Sequence, residues 1–313
     1  MTRIIDVHGA HLLDFERFHL ENKEFEEAKE LGYPVVDCIN DIKEFLGRNP
    51  FNITTILPPP APIFNYMRKK GKFDFDHFPF SYENTQMMQV MTFVSKLGLE
   101  DRVFPYIGFS LEEQSEAYFD YLKKVVKKVN CRFKLHPLAM QTPISKLKDS
   151  KFIDFASELE SCILVHTGRD KYSDSRNLIK IAKEYPKINF CAAHFGYFRK
   201  EFLEGVSEIP NLFLDTCILS ALLEEINGGD NKHVNLDAIP LEVRKSSNDG
   251  IFNWIIDQYK LEDKILFGSD IKWTYHVGSN REKEIKFAEE IKYLNNKKDK
   301  WLYSNAKRFL KLK

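Results

Sequence analysis

Five short apolar segments of this sequence run into a residue that can bind a metal ion. These residues are His8, His136, His166, His194 and Asp270. If the segments are parallel strands of one barrel, their ends meet at the rim where the active sites of such barrels lie. Imidazole and carboxylate groups together suit Zn²⁺, Mn²⁺ or Fe²⁺. The pattern therefore predicts one divalent metal, with Zn²⁺ expected first and Mn²⁺ as the alternative.

Strand periodicity suggests roles for the residues of the first strand. Asp6 and His8 are two residues apart, so an unbroken strand would present both on one face. We expect His8 to bind the metal, and Asp6 to support a ligand or cap the loop rather than bind the metal itself. His11 has the opposite parity and could reach the same metal through a bulge, which Gly9 would permit.

His166 and His194 share one sequence context, because each ends an apolar run and has a glycine two residues later. Neutral imidazole is a common zinc ligand. Two histidines in matching places, with Asp270 at the end of a third strand, favour one shared site over separate structural roles.

Three further residues are candidates for binding substrate. Lys134 and His136 share a face of the fourth predicted strand, and His136 is expected to line the pocket. Lys134 could pair with a carboxylate or bind an anionic substrate. Alternatively, burial could remove its proton, and the amine could then take up carbon dioxide to form a carbamate ligand for a second metal. Arg169 could hold a substrate carboxylate.

The elements that must position these residues alternate between short apolar strands and helices. We predict an α/β fold, a (β/α)₈ TIM barrel formed by residues 1–313 as a single domain. A doubly wound sheet is the alternative, but the sequence lacks the glycine-rich phosphate loop typical of that fold. Long loops follow strands 1, 2 and 7, on the face of the proposed site. The predicted strands lie at about 3–8, 52–57, 103–109, 131–136, 162–166, 188–194, 211–216 and 264–267.

Two local patterns predict details of the connections. Ser110, followed by Glu113, resembles a capping box at the start of a helix that runs to about Val129. Residues 217–250, after the seventh strand, are predicted to form a long connection with a glycine pair at Gly228 and Gly229.

Composition narrows the class of protein. The 313 residues include 46 basic and 46 acidic side chains, which argues against a broad basic face for nucleic acid. No apolar run approaches the roughly 18 residues of a membrane helix, and the first residues lack a signal-peptide pattern. The five cysteines form no C-x-x-C pair and are expected to be reduced and buried. These features predict a cytoplasmic enzyme that acts on a small molecule, without nucleic-acid or membrane partners. A homodimer remains open.

Seven motifs, in order along the chain, resemble those of the amidohydrolase superfamily. Within it, the sequence is similar to the amidohydrolase-related branch that includes aminocarboxymuconate-semialdehyde decarboxylase. The motifs are Ile5-Asp-Val-His8, Lys134-Leu-His-Pro137, Val165-His-Thr-Gly168, Ala193-His-Phe-Gly196, Leu214-Asp-Thr216, Leu266-Phe-Gly-Ser-Asp270 and Ser304-Asn-Ala-Lys-Arg308.

The resemblance implies a specific set of site residues. A His-x-His pair on strand one, a histidine on strand five and an aspartate on strand eight hold the metal in this family. His8, His166 and Asp270 would then be ligands, and His194 the acid/base partner. This sequence has Ala10 where the second histidine of the pair belongs. Either His11 replaces it, or the site is altered or lost.

The resemblance also implies the chemistry. The leading hypothesis is a metal-dependent hydrolase that uses metal-activated water on an amide, lactone or ester. Asp270 would take the proton from that water and pass it to the leaving group, and His194 would stabilise the oxyanion or act as an acid. A metal-dependent, non-oxidative decarboxylase of a small carboxylic acid is the alternative. A non-catalytic binding barrel is a further alternative, suggested by Ala10.

Overall fold

Eight parallel strands form one sheet in which each strand pairs with the next along the chain. The computed structural model describes residues 2–11, 38–58, 81–129, 132–228, 234–270, 281–292 and 297–312. The strands are β1 (Ile5–His11), β2 (Ile53–Leu57), β3 (Val103–Gly108), β4 (Arg132–Leu135), β5 (Cys162–Val165), β6 (Asn189–Ala192), β7 (Leu212–Asp215) and β8 (Ile265–Leu266).

Backbone hydrogen bonds between the first and last strands close the sheet into a barrel. Val7 N donates to Phe267 O at 3.0 Å, and Ser269 N donates to His8 O at 3.0 Å. These bonds lie at and just beyond the end of β8. The predicted (β/α)₈ barrel is therefore confirmed.

The near-continuous apolar character of the strands reflects burial on both faces. In β5, Ile163 and Val165 belong to the large core between the strands and the outer helices, whereas Cys162 and Leu164 belong to the smaller core inside the barrel. All four residues are buried. Each large aliphatic side chain buried in this way stabilises the fold by about 1.5–3 kcal/mol. The alternation sends every second residue of a strand toward the barrel axis.

Helices follow most strands and cover the outside of the barrel. A 3₁₀ turn at Ile144–Asp149 precedes the helix Lys151–Glu158, and a π-helical turn at Lys300–Ser304 precedes the last helix. The helices are α1 (Cys38–Arg48), α2 (Ser81–Lys96), α3 (Glu116–Val129), α4 (Pro137–Met140), α5 (Lys151–Glu158), α6 (Arg176–Glu184), α7 (Lys200–Val206), α8 (Leu219–Gly228), α9 (Leu241–Arg244), α10 (Asn248–Tyr259), α11 (Arg281–Glu290) and α12 (Asn305–Leu310).

The capping box predicted at Ser110 is wrong. Ser110 Oγ accepts from Glu112 N at 3.1 Å and from Glu113 N at 3.4 Å, which stabilises a turn before the helix. Helix α3 begins later, at Glu116, where Ser115 Oγ accepts from Tyr118 N at 3.3 Å. Ser110 does form the predicted local hydrogen bonds to the backbone, but the turn that they stabilise does not continue as a helix.

The long connection predicted after β7 is present, but it is largely helical. It contains α8, a 3₁₀ turn at Leu236–Ala238 and α9 before α10 begins at Asn248. The long loops predicted after the first two strands fall mainly on residues 12–37 and 59–80, which lie outside the described residues.

Helix α12 covers the end of the barrel opposite the predicted site. Arg132 Nη2 donates to Leu310 O at 3.1 Å, and Cys162 Sγ lies 2.8 Å from Phe309 O. Asn189 Nδ2 donates to Phe309 O at 2.8 Å. Because these three residues begin β4, β5 and β6, the helix closes the amino-terminal mouth. Among the helices of the described ranges, none has the length and apolar character needed to cross a membrane.

Candidate metal centre

An irregularity in β1 turns His8 toward the barrel axis. The pairing of β1 with β2 shifts register between Asp6 and Ala10. Gly9 lies at this shift, where an added Cβ would lie 2.6 Å from Thr54 Oγ1 and even closer to the carbonyl oxygen of Thr55. Only glycine allows the two strands to approach this closely.

The expectation that Asp6 and His8 share one face is wrong, because the register shift separates them. Asp6 forms a buried ion pair with Arg281, with its Oδ2 3.1 Å from Arg281 Nε. Its carboxylate also accepts from Ser269 N at 2.9 Å and from Ser269 Oγ at 2.6 Å. Asp6 therefore fixes the loop that carries the neighbouring Asp270, and its predicted role in supporting a metal ligand stays a prediction.

Asp215, at the end of β7, holds the imidazole of His8. Asp215 Oδ2 lies 2.8 Å from His8 Nδ1, and Asp215 Oδ1 accepts from His194 N at 2.9 Å. Burial opposes ionisation of Asp215, but the charge and hydrogen bond of His8 lower its carboxyl pKa overall. A carboxylate on one ring nitrogen leaves the other nitrogen as an electron-pair donor, which is the usual arrangement of a metal-binding histidine.

Asp270 lies between two imidazoles at the end of β8. Its Oδ1 is 3.8 Å from His8 Nε2, and its Oδ2 is 4.0 Å from His194 Nδ1. The backbone of Asp270 adopts a left-handed φ of 43°, and its N–H donates to His8 O at 2.5 Å. Non-glycine residues rarely adopt positive φ, and those that do cluster at functional sites.

A left-handed turn after β6 presents His194 to the same space. The five residues of the turn His194–Phe198 all have φ between 51° and 61°. Each non-glycine residue in this conformation costs roughly 1–2 kcal/mol. At Gly196 an added Cβ would collide with the ring of Phe202. Ser175 Oγ donates to Gly196 O at 2.7 Å and helps to hold the turn.

His194 is neutral in this setting. Burial lowers its pKa to about 4, although the charge of Asp270 acts in the opposite direction. Its Nε2 lies 3.2 Å from His166 Nδ1. Its Nδ1 faces Asp270 and the thiol of Cys217, with the sulfur 3.0 Å away.

His166 joins the cluster through His194. Its ring also stacks on that of His136, with centroids 4.2 Å apart and planes 17° from parallel. Burial, followed by the neighbouring His136 and His194, lowers the pKa of His166 well below its usual value, so the ring is neutral. His166 belongs to neither of the two compact donor groups that the described residues form. Its predicted role as a ligand stays a prediction.

Lys134 lies directly beside the ring of His8. Its Nζ is 3.3 Å from His8 Nε2, and the side chain is buried. Burial lowers the pKa of Lys134, and the charges of Asp270 and Asp215 act against that shift. The amine thus faces the proposed metal-binding space, where it could contact a bound anion. The predictions of an anion-binding role and of a carbamate both stay open.

The other predicted site residues lie at or beyond the edge of this cluster. Arg169 is exposed, its Nη2 donates to Val234 O, and its guanidinium lies 5.5 Å from the centre of the Tyr197 ring. His11 ends β1, and its side chain lies outside the described atoms. Ala10 is fully buried in the core between the barrel and the helices. The position where a second histidine was expected therefore does not face the cluster.

Cys217 is the residue that sequence reasoning missed, because it was interpreted only as a buried thiol. It is fully buried two residues after Asp215, so strand parity alone could have placed it on the same face. Burial, then the charges of Asp215 and Asp270, raise the pKa of the thiol well above its usual value.

The donor atoms at this end of the barrel suit a divalent metal. The described residues form two groups with donor atoms within 4.8 Å of one another: His8 with Asp215 and Cys217, and His194 with Cys217 and Asp270. Donors to a tetrahedral zinc ion lie about 3.3–3.6 Å apart, given zinc bond lengths of about 2.0–2.3 Å. The two donors proposed as ligands, His8 Nε2 and Asp270 Oδ1, lie 3.8 Å apart, a few tenths of an ångström beyond this range. Small side-chain movements would bring the donors into range.

A family model described as amidohydrolase matches residues 41–312, which includes β2 to β8 but not β1. No curated protein matches the sequence.

Several solved structures share the fold over nearly the whole chain. A probable 2-pyrone-4,6-dicarboxylic acid hydrolase from Acinetobacter baumannii, with citric acid bound, has a TM-score of 0.61 at 14% identity and covers 99% of this chain and 100% of its own. A 5-carboxyvanillate decarboxylase from Novosphingobium aromaticivorans, with bound manganese, has a TM-score of 0.57 at 9% identity, covering 99% and 97%. An amidohydrolase from Burkholderia multivorans, with bound zinc, has a TM-score of 0.55 at 9% identity, covering 100% of both chains.

Proposed function

The chain belongs to the amidohydrolase family, and from this premise we propose that it is a metal-dependent hydrolase of a C–N or C–O bond in a small molecule. The observation that carries the proposal is the position of Asp270 between two imidazoles. Its carboxylate oxygens lie 3.8 Å from His8 Nε2 and 4.0 Å from His194 Nδ1. A carboxylate in this position can share a metal ion with His8 and exchange a proton with a bound water.

The residues around the Asp270 carboxylate have separate roles in the proposed reaction. When bound, a divalent metal lowers the pKa of a coordinated water toward about 7 and polarises a carbonyl group. Asp270 accepts the proton of the attacking water and returns it to the leaving group. Asp215 holds the ring of His8 through Nδ1, so that Nε2 would be the nitrogen that binds a divalent metal. The neutral ring of His194 stabilises charge that develops on the substrate oxygen.

The proposed contacts with the substrate involve the remaining predicted residues. Lys134 is a buried amine beside His8 and would contact an acidic group of the substrate. His136, stacked on His166, would line the pocket. Arg169 would bind a carboxylate at the outer edge only if it released the carbonyl of Val234.

Non-oxidative decarboxylation is the second candidate. The observation that favours it is Lys134, because a buried amine next to the metal-binding space could hold a substrate carboxylate. A structural neighbour of the same fold is a decarboxylase. The two reactions differ in their products, since hydrolysis incorporates oxygen from water and decarboxylation releases carbon dioxide.

The experiment is a substrate screen of amides, lactones, esters and aromatic carboxylic acids with zinc-loaded and manganese-loaded protein. Oxygen-labelled water and carbon dioxide capture distinguish the two reactions. Asp270→Asn should lower turnover by about 10²–10⁴-fold, the usual contribution of a general acid–base residue. Glu284→Gln, which removes a buried carboxylate outside the cluster, is the matched control and should retain activity. Undiminished turnover in Asp270→Asn would contradict the proposed mechanism.

The proposal extends to metal, assembly and location. We propose Zn²⁺ as the resident metal, with Mn²⁺ as the alternative and a second ion only if Lys134 is carbamylated. We also propose a cytoplasmic protein that acts on small molecules, without nucleic-acid or membrane partners. A homodimer is testable by light scattering of the purified protein.

A further inference from the structure

Cys217 is a buried thiol at the open end of the barrel that the reaction proposed above does not use. Its Sγ lies 3.0 Å from His194 Nδ1. It belongs to both compact donor groups formed by the described residues, one containing His8 and the other containing Asp270. The sulfur atom therefore lies within 4.8 Å of a donor atom of His8 in one group and of a donor atom of Asp270 in the other.

We propose that Cys217 Sγ is a ligand of the metal, alongside His8 and Asp270. This proposal rests on the metal dependence proposed above, and it adds a thiolate to a donor set that the sequence motifs assigned to histidine and aspartate alone. Position 10 offers no metal-binding side chain, since it is alanine, and Ala10 is packed in the outer core. The thiolate of Cys217, two residues after the end of β7, supplies a donor instead.

The charges around the thiol favour a ligand over a free nucleophile. A cysteine beside an imidazole can be an activated nucleophile. However, Asp215, two residues before Cys217, and Asp270, which follows the neighbouring strand β8, are both buried carboxylates, and their negative charges oppose a free thiolate. A divalent cation among these groups offsets their combined negative charge, and a coordinated thiol is deprotonated outright.

A thiolate ligand has a consequence for metal choice. Cysteine sulfur favours zinc and other soft or borderline ions, whereas manganese prefers oxygen donors. The protein should therefore select Zn²⁺ over Mn²⁺, and Cys217→Ser should narrow that preference. Loss of the ligand should weaken zinc binding by more than the roughly 10–100-fold that loss of an outer-shell partner costs.

The test uses the full-length protein and two spectroscopic readouts. X-ray absorption of the zinc-loaded wild type should show a scatterer at about 2.3 Å, the zinc–sulfur distance, besides nitrogen and oxygen at about 2.0–2.1 Å. The cobalt-loaded wild type should show a thiolate-to-cobalt charge-transfer band in the near ultraviolet. Cys217→Ser should lose both signals. Cys162→Ser is the matched control, because Cys162 is an equally buried thiol that lies against Phe309 O at the closed end of the barrel.

Each outcome decides the proposal. The proposal is supported if the sulfur scattering and the thiolate-to-cobalt band are both present in Cys162→Ser and both lost in Cys217→Ser. A zinc shell of nitrogen and oxygen alone in wild type overturns it and leaves metal-dependent hydrolysis standing, even if Cys217→Ser fails to fold. A sulfur signal that persists in Cys217→Ser also overturns it. A wild type that binds neither zinc nor cobalt overturns this proposal and the proposed function together.

Discussion

Replacing Asp215 by asparagine should weaken metal binding without touching a proposed ligand. Asp215 accepts from His8 Nδ1 on one oxygen and from the backbone N–H groups of His194 and Cys217 on the other, at 2.8, 2.9 and 3.3 Å. An asparagine amide has one acceptor end, so its NH₂ must face a donor in either orientation. If it faces His8, the ring loses the partner that keeps its proton on Nδ1.

The expected magnitude follows from the outer-shell position of Asp215. Loss of such a partner weakens metal affinity by about 10–100-fold, equivalent to about 1.4–2.8 kcal/mol. At a free zinc concentration of about 1,000 times the wild-type Kd, zinc should stabilise wild type by about 4.1 kcal/mol and Asp215→Asn by about 1.4–2.7 kcal/mol. Without metal, the buried donor left unsatisfied should cost about 1–3 kcal/mol of folding free energy.

The assay is urea unfolding with and without zinc, supported by competition with a zinc-binding dye. Glu284→Gln is the control, because Glu284 is a buried carboxylate that accepts from Ser220 N at 3.2 Å and from Ser220 Oγ, outside the donor cluster. It should lose folding stability but keep the full stabilisation by zinc. The reasoning is refuted if zinc stabilises Asp215→Asn as much as wild type.

Three further predictions concern the scaffold, each measured by urea unfolding. Gly9→Ala should destabilise by about 1–3 kcal/mol through overpacking against Thr55, and unchanged stability would contradict the close approach. Arg281→Met should lower the free energy of unfolding by about 3–5 kcal/mol, because it removes the cation beside buried Asp6. Adding Asp6→Asn should recover part of that loss. A double variant no more stable than Arg281→Met alone would argue against this ion pair. Burial lowers the pKa of Lys264 from 10.5 to about 8. Between these two pH values the unfolded chain binds more protons than the folded chain, so raising the pH favours folding. The folding stability of wild type relative to Lys264→Met should therefore rise by about 1–2 kcal/mol from pH about 7.5 to about 10.5, after allowance for solvent screening. A pH-independent difference would contradict that shift.

Strand periodicity predicted much of the fold and part of the site. Parallel strands with polar ends imply a common rim, and His8, His194 and Asp270 do converge there. This inference needs no knowledge of loops, because the barrel geometry brings strand ends together. The same reasoning failed for Asp6, since a register shift within β1 breaks the alternation on which it depends.

The orientation of His194 was beyond prediction from sequence. Its turn contains aromatic residues with left-handed backbone, which local propensity disfavours. Tertiary contacts determine that conformation, including the bond from Ser175 Oγ to Gly196 O. Because this turn aims His194 Nδ1 at Cys217, the proximity of thiol and imidazole could be seen only in the folded structure.

The most direct test of a metal-dependent enzyme at this rim is metal analysis of protein purified without added metal or chelator. Wild type should carry about one divalent ion per chain, and Asp270→Ala should lose it while Glu284→Gln retains it. A second ion per wild-type chain would point to a carbamate on Lys134. The account is contradicted if wild type is metal-free and neither Zn²⁺ nor Mn²⁺ raises its resistance to urea.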